Sequence, residues 1–227
     1  GITQKISSTN ISLNDIKKIC GILLENFNLP LTIPGILMID SPGHAAFTNL
    51  RKRGGNLADI AVLVIDIKEG IMPQTKESLE ILKNYKTPFV IALNKIDAIS
   101  GFHSRSSPLI KTLQSQTEKT IDIIERNLYD IVAQLAGFGL AADRFDRIDD
   151  YTKKITIVPC SAKTGDGIPE LLAIVAGLAQ RFLETSLTTS VNSPAKGTIL
   201  EIKEMRGVGI VLDVIIYDGT LKQNDKI

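Results

Sequence analysis

Four segments made almost entirely of apolar residues are the feature that most limits what this sequence can fold into. They cover residues 36–39, 60–65, 89–93 and 155–158, and segments with helical spacing of apolar residues follow most of them. Apolar runs of this length are typical of parallel strands that helices cover on both faces. We therefore predict an α/β fold of three layers with a mostly parallel sheet.

The segment between an edge strand at residues 2–11 and the first apolar run has the pattern of a helix. Ser12 can cap its N-terminus, and Asp15 completes an approximate capping box. Apolar residues recur at helical spacing from Leu13 to Phe27, which predicts one helix ended by the following prolines. Further helices are predicted near residues 73–85, 121–135 and 169–183, and residues 101–116 are predicted to be a loop.

The pattern changes near residue 186. We predict an α/β domain over residues 1–186 and a linker rich in Ser, Thr and Asn over residues 187–194. Residues 195–227 have the pattern of three short strands without helices, with turns at residues 207–209 and 218–219. This part is predicted to open an all-β barrel.

Composition and charge exclude several classes of protein. Hydrophobic residues make up 44% and charged residues 22%, as in ordinary soluble globular proteins. Lys and Arg number 26 against 25 acidic residues, so net charge gives no argument for binding nucleic acid or membrane. Cys20 and Cys160 have no metal-ligand spacing and are predicted to be buried free thiols. Without a membrane-spanning run or signal-peptide pattern, we expect a cytoplasmic protein with no membrane partner.

Three predicted strands end in polar motifs. Asp40-Ser41-Pro42-Gly43-His44 follows the first apolar run, Asn94-Lys95-Ile96-Asp97 the third, and Ser161-Ala162-Lys163 the fourth. Each motif alone has an ordinary alternative, which for the first is a turn after a core strand with an incidental histidine. Because open α/β sheets bind ligands at the carboxyl ends of their strands, the three motifs together predict one ligand site.

The second and third motifs match the hydrogen-bonding groups of guanine. The Asp97 carboxylate can accept hydrogen bonds from N1–H and the 2-amino group, a pair of donors that adenine lacks. The Asn94 amide can bridge neighbouring loops, and the aliphatic stem of Lys95 can lie over the purine face. The segment containing Ser161, Ala162 and Lys163 would offer a backbone N–H to guanine O6.

The first motif suits the phosphate end of the same nucleotide. Asp40 can hold Mg²⁺ through water, and the Gly43 N–H can meet a γ-phosphate. Thr3 would supply oxygens to the metal and the γ-phosphate, and His44, next to Gly43, can orient an attacking water. GTP or GDP with Mg²⁺ are therefore the predicted ligands, with His44 as the catalytic residue.

At these residues the sequence resembles the translational GTPases, and among them the initiation factor five-B group of archaea and eukaryotes, related to bacterial initiation factor two. Gly1-Ile2-Thr3-Gln4 resembles the first switch of that group, residues 40–47 the second, and residues 50–55 the segment after it. Residues 50–55, 145–147 and 197–204 separate the sequence from elongation factors. A selenocysteine-specific or other elongation factor is the weaker alternative of the same class, and residues 51–55 and 201–206 argue against it.

The resemblance implies a GTP hydrolase that promotes ribosomal subunit joining with initiator tRNA. Its expected partners are guanine nucleotide, ribosomal RNA and proteins, and initiator tRNA through domains outside this chain. The same family carries GxxxxGK[ST], a phosphate-binding loop that residues 1–227 do not contain. The resemblance places that loop and a central first strand before residue 1, so we expect an internal fragment that binds GTP poorly alone. The alternative is a catalytically inert module, such as a split-gene product, that acts only by binding the ribosome or a partner chain.

Overall fold

The structure, a computed structural model, describes residues 7–26, 31–40, 58–105, 108–151, 153–183 and 193–226. Its helices are α1 (Leu13–Cys20), α2 (Ile22–Asn26), α3 (Pro73–Tyr85), α4 (Leu109–Gln114), α5 (Glu118–Gly137) and α6 (Ile168–Leu183). Its strands are β1 (Ser7–Ser12), β2 (Gly35–Asp40), β3 (Ala61–Asp66), β4 (Phe89–Asn94), β5 (Ala142–Arg144), β6 (Ile155–Pro159), β7 (Lys196–Met205) and β8 (Gly209–Asp218). None of the helices in these ranges combines the length and apolar character that crossing a membrane requires.

A parallel sheet of order β3-β4-β6-β5 forms the centre of the fold. In β4, the four consecutive residues Val90, Ile91, Ala92 and Leu93 are buried, and because neighbouring side chains point to opposite faces, both faces of this strand are covered. The core contains residues of α3, α5 and α6, including Leu79, Leu128 and Ile174. The predicted α/β class with a mostly parallel sheet is confirmed.

The strand β3 is covered on only one face by the described residues. Leu63 and Ile65 are buried in the core, whereas the intervening Val64 is 60% exposed. The prediction that this apolar run is covered on both faces is therefore wrong for the described part of the chain. The reason is position, because β3 is an edge strand of the four-stranded sheet and pairs only with β4 there.

The strand that leads to Asp40 lies outside the parallel sheet. β2 pairs antiparallel with β1, with Asp40 opposite Ser7 and Gly35 opposite Ser12. Its residues Leu37 and Met38 are 51% and 39% exposed, so the expectation of a buried strand in the parallel sheet is wrong for the described residues. An apolar sequence alone does not distinguish this exposed two-stranded ladder from a core strand.

The predicted helix from Leu13 to Phe27 is two helices, α1 and α2. Ser12 caps α1 as predicted, since its Oγ accepts the Asp15 N–H at 3.2 Å and donates to the Asp15 carboxylate at 2.6 Å. Gly21 ends α1 with φ +49° and ψ −128°, a backbone conformation outside the helical region. Phe27 lies outside the described residues.

Two short elements were not predicted. Residues 101–116 contain α4, whose Leu109 and Leu113 are buried, and the Leu109 N–H donates to the buried Glu170 carboxylate at 2.6 Å. The strand β5 lies parallel to β6, with Arg144 opposite Ile157. Its sequence Ala-Asp-Arg has no apolar run, so the spacing of hydrophobic residues could not indicate a strand.

Helix α6 connects the two-stranded ladder to the parallel sheet. Ala173 and Ala176 of α6 pack against Ile16 and Cys20 of α1 in a second buried cluster. The Gln180 side chain accepts the N–H groups of Thr32 and Ile33, at 2.8 and 3.2 Å, just before β2. One helix thus contacts the central core and also positions the segment that enters β2.

The C-terminal part is an antiparallel hairpin of β7 and β8. Each strand has ten residues, and Met205 pairs with Gly209 across the turn. The prediction of three short strands is wrong for the described residues, which contain two long ones here and no strand after Asp218. The predicted turn at residues 207–209 is present, with Gly207 and Gly209 at positive φ.

Candidate functional site

The carboxyl ends of β3, β4 and β6 meet at one edge of the parallel sheet. Asp66 lies opposite Asn94 in the ladder, and Leu93 lies opposite Pro159. A cleft of about 280 Å³ opens beyond these ends, and its lining residues are Asn94, Lys95, Asp97, Ala98, Ala162 and Lys163. The structure thus places five of the predicted site residues around one cavity, with Ser161 directly behind them.

Asn94 joins the two loops that form the cleft. Its side-chain oxygen accepts the Lys95 N–H at 2.8 Å and the Ala162 N–H at 3.0 Å. The backbone supports the same junction, because the Ile96 N–H donates to the Cys160 carbonyl at 3.2 Å. The loop after β4 and the loop after β6 are therefore held at a fixed separation.

A buried serine orients the carboxylate of Asp97. Ser161 is fully buried, and its hydroxyl donates to Asp97 Oδ1 at 2.6 Å. The same hydroxyl oxygen accepts the N–H groups of Lys163 and Thr164, at 3.3 and 3.1 Å. Among the described residues, Asp97 Oδ2 has no hydrogen-bond partner, so a carboxylate oxygen is presented in a fixed direction.

The backbone N–H groups of Ser161, Ala162 and Lys163 all have partners in this structure. The Ser161 N–H donates to the Asp166 carbonyl at 2.8 Å, and the Ala162 N–H to Asn94. The Lys163 N–H makes the longer 3.3 Å contact to the Ser161 hydroxyl, and Lys163 is exposed. A ligand acceptor at this loop would therefore share or replace an existing hydrogen bond.

Asp66 does not line the cleft but forms an ion pair with Lys95, which does, and the sequence motifs did not include it. Its Oδ2 lies 2.7 Å from Lys95 Nζ, and its Oδ1 accepts the Lys68 N–H at 2.8 Å. Burial acts to raise the pKa of the Asp66 carboxyl, but these hydrogen bonds and the charge of Lys95 outweigh it and hold the pKa below 3.8. The hydrogen bond to Asp66 raises the pKa of Lys95.

One sequence signal could have identified Asp66: it ends an apolar strand, as Asp40 does. The hydroxyl of Ser161 was also missed, since the sequence argument used only the backbone of that segment. Both residues act on neighbours rather than at the expected ligand contacts, which makes them hard to find from ligand chemistry alone.

The predicted phosphate end is described only at Asp40. This residue is exposed at the end of β2, in the ladder with β1 and not in the sheet that forms the cleft. The predicted site residues Thr3, Gly43 and His44 lie outside the described residues. Within the described ranges, no group of three or more His, Cys, Asp or Glu side chains could hold a metal ion.

A comparison with protein families gives one match, which covers most of the chain. The sequence profile described as "Elongation factor Tu GTP binding domain" matches residues 1–181. The match includes every residue of the cleft and ends within α6.

Curated archaeal proteins are similar to the chain over its whole length. A "Probable translation initiation factor IF-2" from Methanopyrus kandleri is 52% identical over 228 residues, which cover 100% of this chain and 38% of that protein. The protein of the same description from Archaeoglobus fulgidus is 50% identical, with the same coverage. The chain therefore spans less than two fifths of the length of these relatives.

A solved structure, that of GDP-bound aIF5B from Aeropyrum pernix, has the same fold with a TM-score of 0.85 at 50% sequence identity. It matches 96% of this chain, and the match spans 37% of that protein. A bacterial selenocysteine-specific elongation factor matches with a TM-score of 0.59 at 24% identity, which shows the fold alone. The predicted GTPase-like α/β fold is thereby confirmed.

Proposed function

We propose that this chain, which belongs to the elongation factor Tu GTP-binding domain family of translational GTPases, binds a guanine nucleotide with its base in the cleft beyond β4 and β6. The observation that carries the proposal is the Ser161–Asp97 hydrogen bond of 2.6 Å, which fixes the carboxylate at the wall of the cleft. The Aeropyrum pernix relative, described as bound to GDP, supports the same class of ligand.

The cleft selects guanine because it presents hydrogen-bond acceptors where guanine carries donors. An ionised carboxylate only accepts hydrogen bonds, so Asp97 pairs with the N1–H and 2-amino groups of guanine and repels the bare N1 of adenine. Asn94 joins the loops of β4 and β6 at the cleft, and the methylene groups of Lys95 cover one face of the base.

The protein that contains this chain is proposed to be an initiation factor that hydrolyses GTP while promoting ribosomal subunit joining with initiator tRNA. This proposal rests on the archaeal relatives described as translation initiation factors, of which the chain spans about 38%. Within the chain we assign the nucleotide-binding domain to residues 1–186, a linker to residues 187–194, and the start of a β-barrel to residues 195–227.

For the chemical step, we assign His44 to orienting the attacking water, with Gly43 and Thr3 at the γ-phosphate. Asp40 fits an outer ligand of Mg²⁺, because proteins hold this ion through one or two carboxylates together with water and phosphate oxygens. When bound, Mg²⁺ neutralises phosphate charge. Replacement of His44 by Ala in the full-length protein is expected to preserve GDP affinity and to abolish ribosome-stimulated GTP hydrolysis.

The choice of base provides the direct test of the cleft. In the full-length protein, Asp97→Asn is expected to weaken GDP binding by about 100-fold, because the carboxylate that pairs with two donors is lost. The Asn amide can donate to O2 of xanthine, so the same variant is expected to bind XDP more tightly than GDP. Isothermal titration with GDP, XDP and ADP measures all three affinities.

The control is Asp122→Asn, the same chemical change on the exposed surface of α5, which should leave all three affinities unchanged. Equal affinity of the unmodified protein for GDP and ADP would overturn the proposal, and so would an Asp97→Asn variant that retains its preference for GDP.

A further inference from the structure

The carboxylate of Asp66 is fixed before any ligand arrives. Asp66 is the last residue of β3, where its backbone is held by the ladder with β4. Its Oδ1 accepts the N–H of Lys68 at 2.8 Å, a turn within its own loop. Only 16% of its side chain is exposed, which limits the directions from which a partner can reach Oδ2.

Lys95 has contacts at both ends, although 58% of its side chain is exposed. Its backbone has φ +68°, a left-handed conformation uncommon outside glycine, and its N–H donates to the Asn94 side chain. Its Nζ lies 2.7 Å from Asp66 Oδ2. The four-carbon stem between these points must therefore run from the end of β4 towards the end of β3, along the cleft that Lys95 lines.

A lysine held in this way differs from a mobile surface lysine. A free side chain loses rotamer entropy when it is ordered against a ligand, and Lys is among the residues with the largest loss. When the ion pair with Asp66 has already restricted the stem, a planar base can pack against its methylene groups at a smaller entropic cost. Asp66 would then affect base binding without contacting the nucleotide.

We propose that Asp66 is a positioning residue of the base-binding cleft, holding the ammonium group of Lys95 so that the stem of Lys95 lies along the face of a bound purine. The proposal rests on the proposed function, and it adds a residue from β3 to a site otherwise formed by β4 and β6. It predicts that Asp66 acts only through Lys95 and only on the base.

The test is a double-mutant cycle on the full-length protein, read by the dissociation rate of GDP in stopped-flow exchange. Asp66→Asn removes the charge with little change in size, and it is expected to accelerate GDP release about 5-fold. Lys95→Ala is expected to accelerate release by at least as much. The double variant should match Lys95→Ala alone, because Asp66 has no residue left to position.

Inorganic pyrophosphate separates this role from a general structural one. It has no base, so its affinity should be the same in the Asp66→Asn variant and the unmodified protein, whereas a damaged fold would weaken both ligands. The matched control is Asp143→Asn, since Asp143 also accepts a backbone N–H and faces a lysine, Lys154, at 3.8 Å. This control should release GDP at the unmodified rate.

The outcomes distinguish the two proposals. If the unmodified protein binds GDP and Asp66→Asn releases it at the unmodified rate, the positioning role is wrong and the proposed function stands. The positioning role would also be overturned if GDP release in the double variant were accelerated by the product of the two single effects. A loss of pyrophosphate affinity in Asp66→Asn as large as its loss of GDP affinity would overturn it too. An unmodified protein without preference for GDP over ADP would instead overturn the function itself.

Discussion

Gly167 shows how strongly one residue can limit the loop that carries Ser161. It has φ +75°, and a Cβ at this position would lie 2.2 Å from the Pro159 carbonyl oxygen and 3.0 Å from Cys160 Cα. Gly165, in the same loop, has φ +86° but has no atom within 4 Å of the corresponding Cβ position. Substitutions at the two glycines therefore distinguish the energetic cost of backbone strain, which both share, from that of steric overlap, which only Gly167 has.

Replacement of Gly167 by Ala is expected to lower the free energy of unfolding by about 3 kcal/mol, because left-handed strain and overlap with the backbone of β6 add together. Gly165→Ala carries the strain alone and should cost about 1 kcal/mol. Urea unfolding of both variants measures the difference. Equal losses would show that the loop relaxes around the new methyl group and that the close approach to Pro159 has no energetic consequence.

At this scale the sequence predicted part of the candidate site. Asn94, Lys95, Asp97 and residues 161–163 were predicted from motifs at strand ends, and the structure brings them together in one cleft. The ion pair of Asp66 with Lys95 could not be predicted, because it depends on the ladder register that puts Asp66 opposite Asn94. A motif records which residues follow a strand, but not which strand lies beside it.

Among the elements, α6 has the widest structural role. Within the described residues, no strand pairing joins the β1–β2 ladder to the parallel sheet, and α6 contacts both parts. The amide of Gln180 is 2% exposed and satisfies the N–H groups of Thr32 and Ile33 while donating to the Thr32 hydroxyl at 2.8 Å. The entry to β2 depends on this side chain.

Gln180→Ala is expected to lower the free energy of unfolding by about 2 kcal/mol, because a buried side chain is truncated and the N–H groups of Thr32 and Ile33 lose their acceptor. Hydrogen exchange at Thr32 and Ile33 should accelerate in the same variant, which locates the loss before β2. Gln134→Ala, an exposed change on α5, should alter stability by less than about 0.5 kcal/mol. Unchanged exchange at Thr32 and Ile33 would contradict this role of Gln180.

Helix and strand boundaries were predictable where local chemistry determines them. The Ser12 cap and Pro73 at the start of α3 follow from the preferences of single residues. The break at Gly21 and the short helix α4 were missed for different reasons. Apolar spacing continues across Gly21, and the N-terminus of α4 is stabilised by Glu170, which is 61 residues away in the sequence.

For the molecule as a whole, the two buried thiols make the free energy of unfolding fall as the pH rises in the alkaline range. Burial raises the pKa of Cys160 from 9.0 to about 12. Burial, followed by the charge of Glu170, raises the pKa of Cys20 to about 11. Since the unfolded chain loses these protons near pH 9 and the folded chain keeps them, their stabilising contribution is complete below pH 9 and is lost as pH rises towards the folded values.

Cys160→Ala is therefore expected to flatten the alkaline fall in stability between pH 9 and 12, by up to about 1.4 kcal/mol per pH unit. Thermal unfolding across this range, compared with the unmodified protein, isolates Cys160 from tyrosines and lysines that titrate in both. The control Ile157→Val lies on β6, which ends one residue before Cys160, and should cost about 1 kcal/mol at every pH. An unchanged slope in Cys160→Ala would refute the prediction.

The architecture of the whole chain was predictable in class but not in arrangement. Apolar runs alternating with amphipathic segments predicted the parallel sheet, because that pattern arises wherever helices cover strands. The same pattern misplaced β2 and predicted cover for a face of β3 that is exposed in the described residues, since side-chain hydropathy does not record which strands pair. The long strands of the β7–β8 hairpin were likewise read as shorter ones, because charged residues interrupt them.

The cleft is built from one continuous stretch of sequence. The contacts that hold Asp97, Asn94 and Lys95 all come from residues between Asp66 and Gly167, whereas Asp40 lies on a separate ladder. Under the proposed function, base preference can therefore evolve by substitutions within this stretch, without disturbing the strand that leads to the predicted phosphate end. Duplicated copies of such a gene could then diverge in the nucleobase they recognise while sharing the same proposed phosphate-binding residues.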